Sequence, residues 1–431
     1  MQTDVCSDGR IASDMRAAAM TRRALILIEI YPWDVGPLYV QAALRLGLHP
    51  IILSADPARY NRLTPQSIVI RVDTDNLDAL IHECLQLRAN YDIAGITSTG
   101  DSFYATVGKL CRHFDLPGPD PESVERCCDK LVQRQLLAEA GVPIPAYRLA
   151  ANATDIERSA TEIGLPVILK PAEGSFSCGV RLCRTVDELF EHSTYLLGGK
   201  HKWQSSPRIL VEEFAQGPYF SAEIMGNDII GIGTADLGDL PYFVFRECAF
   251  PAALAYDQRK CIAEVSLNCL RALGLGWGPT GIEFRWTMRG PVVIEVNPRL
   301  PCTPTPQLIR LAYGIDLVTE HIKLAIGEAW DLQKRQSHTA AARLLVPDRD
   351  GIIDSIVGES RAVALSGVAE VNFRVEPKTP ILRKGDSRDW IGYVIAASPS
   401  LARTEEILER AVSLIDWSIT PFSTRGETGT T

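Results

Sequence analysis

Between positions 283 and 299 the chain sets two glutamates, an asparagine and an arginine along two apolar runs. The first is Thr280-Gly-Ile-Glu-Phe-Arg285 and the second Val292-Val-Ile-Glu-Val-Asn-Pro-Arg299. Both read as strands of an antiparallel pair, with Glu283 and Glu295 flanked by apolar residues. Carboxylates turned inward from such strands are strongly disfavoured unless a cation joins them. Hard oxygen donors of the Glu and Asn type, shared with phosphate oxygens, suit Mg²⁺ rather than zinc. Glu283, Glu295 and Asn297 are therefore candidate metal ligands. Arg299 follows at once, where a guanidinium could hold a transferring phosphoryl group and the carboxylate that attacks it. The competing reading is a structural salt-bridge network.

Upstream, Lys130 stands near the start of a helix expected over 122–140, and Lys170 ends the strand Pro166-Val-Ile-Leu-Lys-Pro171. An ammonium at the end of a buried strand is costly unless an anion meets it, and two lysines converging on nucleotide phosphates would solve that problem. Singly, each lysine reads as solvated surface. Ala172-Glu-Gly-Ser-Phe-Ser-Cys-Gly-Val180 follows, with Ser175, Ser177 and Gly179 able to close hydroxyl and backbone donors over phosphate oxygens. A flexible hairpin explains the same residues. Ile209-Leu-Val-Glu-Glu-Phe-Ala-Gln-Gly217 leaves a strand through a polar pair, whose edge could serve an adenine or simply face water.

These groups need elements to hold them. Runs at 24–30, 50–54, 67–72 and 93–97 alternate with helical spacing, which implies a small doubly wound α/β domain over 21–120. No G-x-G-x-x-G follows its first strand, so a dinucleotide site is not supported. The segment 121–338 turns strand-rich in an α+β manner, with 145–215 expected as a lid subdomain. A further strand-rich segment runs over 339–420. Residues 1–20 read as a disordered extension, with Met20 a candidate start, and 421–431 as a tail.

The bulk numbers set bounds. Of 431 residues, 46% are apolar and 23% charged, and the net charge is 44 − 53 = −9, so no overall positive field draws nucleic acid or acidic membranes. No apolar run approaches the ~20 residues of a membrane span, and a cytoplasmic location is the default expectation. Eleven cysteines without a C-x-x-C pair suit reduced, mostly buried thiols. Seven histidines form no zinc-binding cluster.

In their order, Lys130, Lys170, the Gly/Ser loop, Glu212-Glu213-Phe214, Glu283 and Glu295-Val-Asn-Pro-Arg299 resemble the ATP-grasp superfamily, from about residue 24 to 416. The nearest likeness is to L-amino-acid ligases (dipeptide synthetases). The resemblance implies ATP clasped between two α+β subdomains, with Lys130, Lys170, Ser175, Ser177 and Gly179 at the phosphates. It places Glu212, Glu213 and Phe214 at adenine, Mg²⁺ on Glu283, Glu295 and Asn297, and Arg299 with Lys170 at the reacting phosphoryl group. Three departures stand out. Tyr219 occupies the place of the usual ribose-binding acid, which makes Glu223 an alternative. Gly281 replaces a histidine common in dipeptide synthetases. The Gly-rich loop after the arginine becomes Leu300-Pro-Cys-Thr-Pro-Thr-Pro306, so Cys302 and Thr303 are expected to line the substrate pocket, with Asp101 a further candidate contact.

The reaction implied is ligation of a small-molecule carboxylate to an amine through an acyl phosphate, releasing ADP. A homodimer is compatible with it. The competing functions are a ligase acting on a carrier-protein thiol or peptide, a nucleotide-binding regulator without turnover, and biotin-dependent carboxylation.

Overall fold

A computed structural model describes residues 22–61, 63, 65–198 and 208–422. The extension expected over 1–20 lies outside them, as does the expected tail apart from 421 and 422.

Four strands, β1 (Arg22–Ile28), β2 (His49–Ser54), β3 (Ile68–Arg71) and β4 (Tyr91–Ser98), form a parallel sheet in the order β3-β2-β1-β4. The apolar runs of β1, β2 and β4 match their burial on both faces, while the edge strand β3 is half-buried. Ala24, Ile26 and Ile28 of β1 pack with the helices Leu77–Leu87 and Asp101–Phe114. Leu25 and Leu27 point the other way, toward the helices Gly36–Arg45 and Leu317–Ala325. The last of these returns from far along the chain. It lies so close that a Cβ on Gly95 would meet the Ala325 carbonyl oxygen at 2.7 Å.

The single helix expected over 122–140 is two helices, Pro121–Cys128 and Lys130–Glu139. Asp129 breaks them apart with an extended backbone and caps the second helix, accepting from the N–H groups of Leu131 and Val132. Lys130 thereby becomes the first residue of a new helix.

A second sheet is antiparallel: β5 (Tyr147–Ala150), β6 (Val167–Pro171), β7 (Arg181–Cys183) and β8 (Ile209–Glu213), in the order β5-β8-β6-β7. Its residues fall within the stretch read as a lid. Strand alternation sorts its side chains. Val167, Leu169, Ile209 and Val211 pack under the helices Ala153–Ile163 and Val186–Gly198. Ile168, Lys170 and Glu212 take the opposite face.

The remaining strands are β9 (Tyr219–Met225), β10 (Asp228–Asp236), β11 (Glu247–Phe250), β12 (Pro279–Thr287), β13 (Gly290–Asn297) and β14 (Thr339–Leu345). They are followed by β15 (Gly351–Val357), β16 (Val368–Phe373), β17 (Pro380–Ile381), β18 (Gly392–Ser398) and β19 (Asp416–Thr420). Eight of them make one antiparallel sheet, β13-β12-β9-β10-β11-β14-β18-β16. This sheet runs straight across position 338, since β11 pairs with β14 from Glu247↔Arg343 to Phe250↔Ala340. Strands β17-β15-β19 form a small fourth sheet, and the helix Leu401–Ser413 closes the core beneath it.

No helix among the described residues is long and apolar enough to cross a membrane. The ten described cysteines are free thiols, six of them buried.

Candidate active site

Glu283 lies directly opposite Glu295 across the β12–β13 ladder, and Gly281 opposite Asn297. On the other side of β12, Gly281 pairs with Glu223 and Arg285 with Tyr219 of β9. Alternation puts Tyr219, Glu223, Glu283, Arg285, Glu295 and Asn297 on one face, lining a cavity. The opposite face, with Phe220, Ala222, Ile224, Ile282 and Phe284, packs on the helix Tyr256–Leu273. A β-bulge makes this division possible. The register slips between Glu283↔Glu295 and Phe284↔Val293, so Ile294 is extra. Val293 is thus buried against the helix while Glu295, of the same parity, faces the cavity.

The charge balance here is strained. Burial first, then the charge of Glu295, raises Glu283 to about 7. Glu295 is held below the usual carboxylate range, because Lys130 and Lys170 outweigh the cost of its burial. Glu223 is raised to about 7 by burial, and its Oε2 is buried without a hydrogen-bond partner among the described residues. A Cβ on Gly281 would sit 3.2 Å from that same oxygen. The departure from histidine at 281 therefore makes room for the carboxylate at 223.

Four cations converge on this end. Lys130 Nζ pairs with Glu295 at 2.9 Å and donates to the Gly174 carbonyl, tying the Gly/Ser loop to the helix Lys130–Glu139. Lys170 Nζ pairs with Glu212 at 2.7 Å. Burial holds that lysine below its ordinary range although Glu212 pulls the other way. Arg134, four residues after Lys130, binds the other oxygen of Glu212 at 2.8 Å and also donates to the Ile294 carbonyl at the bulge. The Glu212 side chain is therefore fully engaged by two cations. Glu213 is similarly occupied: Oε2 accepts from the Ala146 N–H at 3.1 Å and Oε1 meets Arg289 at 2.6 Å. Phe214 instead joins Ile168, Val180, Leu182, Leu237 and Phe243 in an apolar cluster at the cavity wall. A flat base would find its apolar contact there.

Arg299 carries the fourth charge. Its Nε pairs with Asp101 at 2.7 Å and its Nη1 donates to the Leu300 carbonyl at 3.0 Å. Asp101, proposed from sequence as a substrate contact, thus holds the arginine. Thr303 donates from N–H and Oγ1 to Asp34, which no sequence signal marked. Burial first, then the Asp34 charge, pushes the Cys302 thiol well up, which keeps it protonated.

The loop after Lys170 has an unusual backbone. Phe176 and Ser177 have φ of +62° and +59°, in the left-handed region that side chains rarely adopt. Outside contacts hold them there. The Phe176 ring lies 5.6 Å from that of Tyr31 and 5.4 Å from that of Trp33, and its carbonyl accepts from Ser387 N–H and Oγ. Ser175 and Ser177 line the cavity. Gly179 makes the positive-φ turn that ends the loop, its carbonyl hydrogen-bonded with His192 at 2.9 Å.

Sequence reasoning missed Arg134, Asp34 and the aromatic pair Tyr31 and Trp33. Only Arg134 had a usable signal, its i,i+4 spacing from Lys130 on one helix face.

Comparison with known proteins gives a consistent picture. Residues 129–333 match the family described as carbamoyl-phosphate synthase L chain, ATP binding domain, and residues 343–420 match L-amino acid ligase C-terminal domain 2. The uncharacterized protein y4rH of Sinorhizobium fredii is 60% identical over 403 residues, spanning 93% of this chain and 84% of that protein. Human carnosine synthase 1 is 25% identical over 432 residues, and the match spans 91% of this chain but only 52% of that longer protein. The crystal structure of an L-amino acid ligase from Bacillus licheniformis superposes with a TM-score of 0.79 at 19% identity, over 93% of this chain and 99% of that one.

Proposed function

The chain belongs to the ATP-grasp superfamily, and from that premise we propose that it is an ATP-dependent ligase joining a small carboxylic acid to an amine. The observation that carries the proposal is the pairing of Glu283 with Glu295 in one cavity with Lys130, Lys170 and Arg299. Two facing, half-buried carboxylates with an asparagine beside them repel each other and make a good hard-oxygen donor set for a divalent cation. Glu283, Glu295 and Asn297 would hold Mg²⁺, which when bound neutralises phosphate charge. The raised Glu283 fits such a role, because a cation would favour its ionised form.

The protein's own groups do the rest by position and charge, as phosphoryl transfer requires. Lys130 and Lys170 meet the phosphates of ATP, and the apolar wall around Phe214 and Phe243 takes the base. Arg299, held by Asp101, orients the acid so that a carboxylate oxygen attacks the γ-phosphorus and ADP leaves. The resulting acyl phosphate is attacked at carbon by the amine nitrogen. Phosphate leaves, the nitrogen loses a proton to the surroundings, and an amide remains. The loop at 174–179, latched by Phe176, keeps water from the acyl phosphate meanwhile. Ser175 and Ser177 offer it donors. L-amino acid ligases and carnosine synthase, which the chain resembles, support an amino acid or similar small acid as substrate.

The test is ADP release across a panel of amino acids and small acids, with hydroxylamine standing in for the amine. A hydroxamate of the accepted acid should accumulate with ADP. Accumulation of AMP would contradict an acyl phosphate and overturn the reaction. Glu295→Gln should abolish ADP formation while circular dichroism stays unchanged.

A further inference from the structure

A second cleft shares no residue with the cavity described above. It opens over β10, between the helix Tyr256–Leu273 and the end of the helix Thr305–Tyr313, and encloses about 780 Å³, the size of a small-molecule site. A bulge shapes its floor. The register between β9 and β10 slips between Ile229 and Gly231, and Ile229, Ile230 and Ile232 all border the cleft. Gly231 lets the Tyr313 ring lie against the strand, since a Cβ there would meet the ring at 2.7 Å. The floor is thus apolar and aromatic.

The rim is cationic. Arg259, Lys334 and Arg335 line the cleft, and no carboxylate does so among the described residues. Arg335 is occupied: its guanidinium lies 2.6 Å from Asp331, and its backbone N–H donates to the Tyr313 carbonyl at 2.8 Å. Gln336 donates to the carbonyls of Arg310 and Leu311, so this segment is laid firmly across the end of the helix. Arg259 and Lys334 have no such partner. Neither makes a side-chain hydrogen bond or an ion pair among the described residues, and the Lys334 ammonium rests 3.8 Å from the centre of the Tyr313 ring. Burial, then the charge of Arg259, holds that ammonium below its ordinary range. Two like charges thus share one cleft uncompensated, in a chain whose net charge is −9. Both are solvent-accessible, so a ligand can reach them.

We propose that this cleft binds a small organic anion, with its phosphate or carboxylate head between Arg259 and Lys334 and its apolar body on Ile230, Ile232 and Tyr313. An inorganic ion would leave the apolar floor to water, and a neutral apolar molecule would leave the two cations unpaired. A ligand with both parts answers both surfaces. The site stands apart from the residues that meet ATP, so it is a second ligand site and does not depend on the ligase reading.

The test uses the full chain with saturating MgADP, so that the nucleotide cavity is filled. Naphthyl phosphate and naphthoate carry the two heads on one apolar body, and their binding is followed by calorimetry. Inorganic phosphate and naphthol supply each part alone. At least one of the naphthyl anions should bind saturably, and the tighter of the two names the head. Inorganic phosphate and naphthol should each bind more weakly by about tenfold or more. Arg259→Gln combined with Lys334→Gln should weaken the naphthyl anion roughly ten- to hundredfold, the worth of charge-assisted hydrogen bonds. MgADP affinity should stay unchanged in that variant, which shows that it is folded. Arg259→Lys should keep most of the binding, whereas Ala263→Trp, which fills the cleft and leaves both cations, should abolish it. Three results would each overturn the site: no saturable binding to the wild type, an affinity untouched by the double substitution, or inorganic phosphate bound as tightly as the naphthyl anions.

Discussion

Arg299 reaches the cavity with one edge already occupied, its Nε on Asp101 and an Nη1 hydrogen on the Leu300 carbonyl. A donor held this rigidly is worth most where charge develops in a transition state. Arg299→Ala should therefore lower kcat of ADP release about a hundred- to thousandfold, some 3–4 kcal/mol, with a smaller effect on ATP binding measured by calorimetry. Cys302→Ser, by contrast, should leave ADP release within a few fold of wild type, since its protonated thiol is a packing group. A dead Cys302→Ser beside an active Arg299→Ala would relocate the chemistry. The residues of this end were legible because their order was: two lysines, a small-residue loop and Glu283 with Glu295-Val-Asn-Pro-Arg299 lie in sequence as they converge in space. Asp34 was not, and Arg134 only through its spacing from Lys130. Each owes its meaning to burial or to a partner more than seventy positions away, such as Arg134 with Glu212 or Asp34 with Thr303.

Besides the hydrogen bond between Gly179 and His192, the loop at 174–179 is held by three attachments. Lys130 holds Gly174, Tyr31 and Trp33 hold the Phe176 ring, and Ser387 holds the Phe176 carbonyl. Residues kept at positive φ cost about 1–3 kcal/mol each, so the closed loop depends on those contacts. Phe176→Ala should loosen it without touching a phosphate ligand. The expected outcome is a several-fold rise in ADP released per amide formed, because water reaches the acyl phosphate; an unchanged ratio would show that the aromatic latch is not the seal. The glycines and serines marked this loop in the sequence, but its latch lay in residues 31, 33 and 387, which spacing does not connect. Helix boundaries were misjudged for a related reason. The apolar period runs unbroken through 122–140, whereas Asp129 turns inward to cap the second helix and bind Arg208 at 2.8 Å, ending the first.

At the scale of the molecule, His321 joins the parallel sheet's layer to the rest. It lies on the helix Leu317–Ala325, fully buried, with Tyr39 at 2.6 Å on Nδ1 and Tyr104 at 3.0 Å on Nε2. Burial lowers its pKa to about 3. The unfolded chain takes up a proton near pH 6.5 that the folded chain refuses until about 3, so this residue makes stability fall as pH drops through that interval. The slope contributed approaches ~1.4 kcal/mol per pH unit. Thermal unfolding between pH 4 and 7 should show His321→Gln losing less Tm on acidification than wild type; parallel curves would mean that the imidazole is protonated in the fold. The doubly wound layer was readable from its alternating apolar runs, but not the helix Leu317–Ala325 that covers it.

The ladder between β11 and β14 bears on how such a chain can be rearranged by recombination. Ala340 and Ala342 look into the core beneath the parallel sheet's helices, while Ala341 looks into the core under the helix Leu401–Ser413. A slip of one residue would exchange these faces. A crossover near 338 must then deliver, in register, a strand small enough on both sides to sit beside Cys248, Ala249 and Phe250. Segments that look separable along the chain would have to be inherited together.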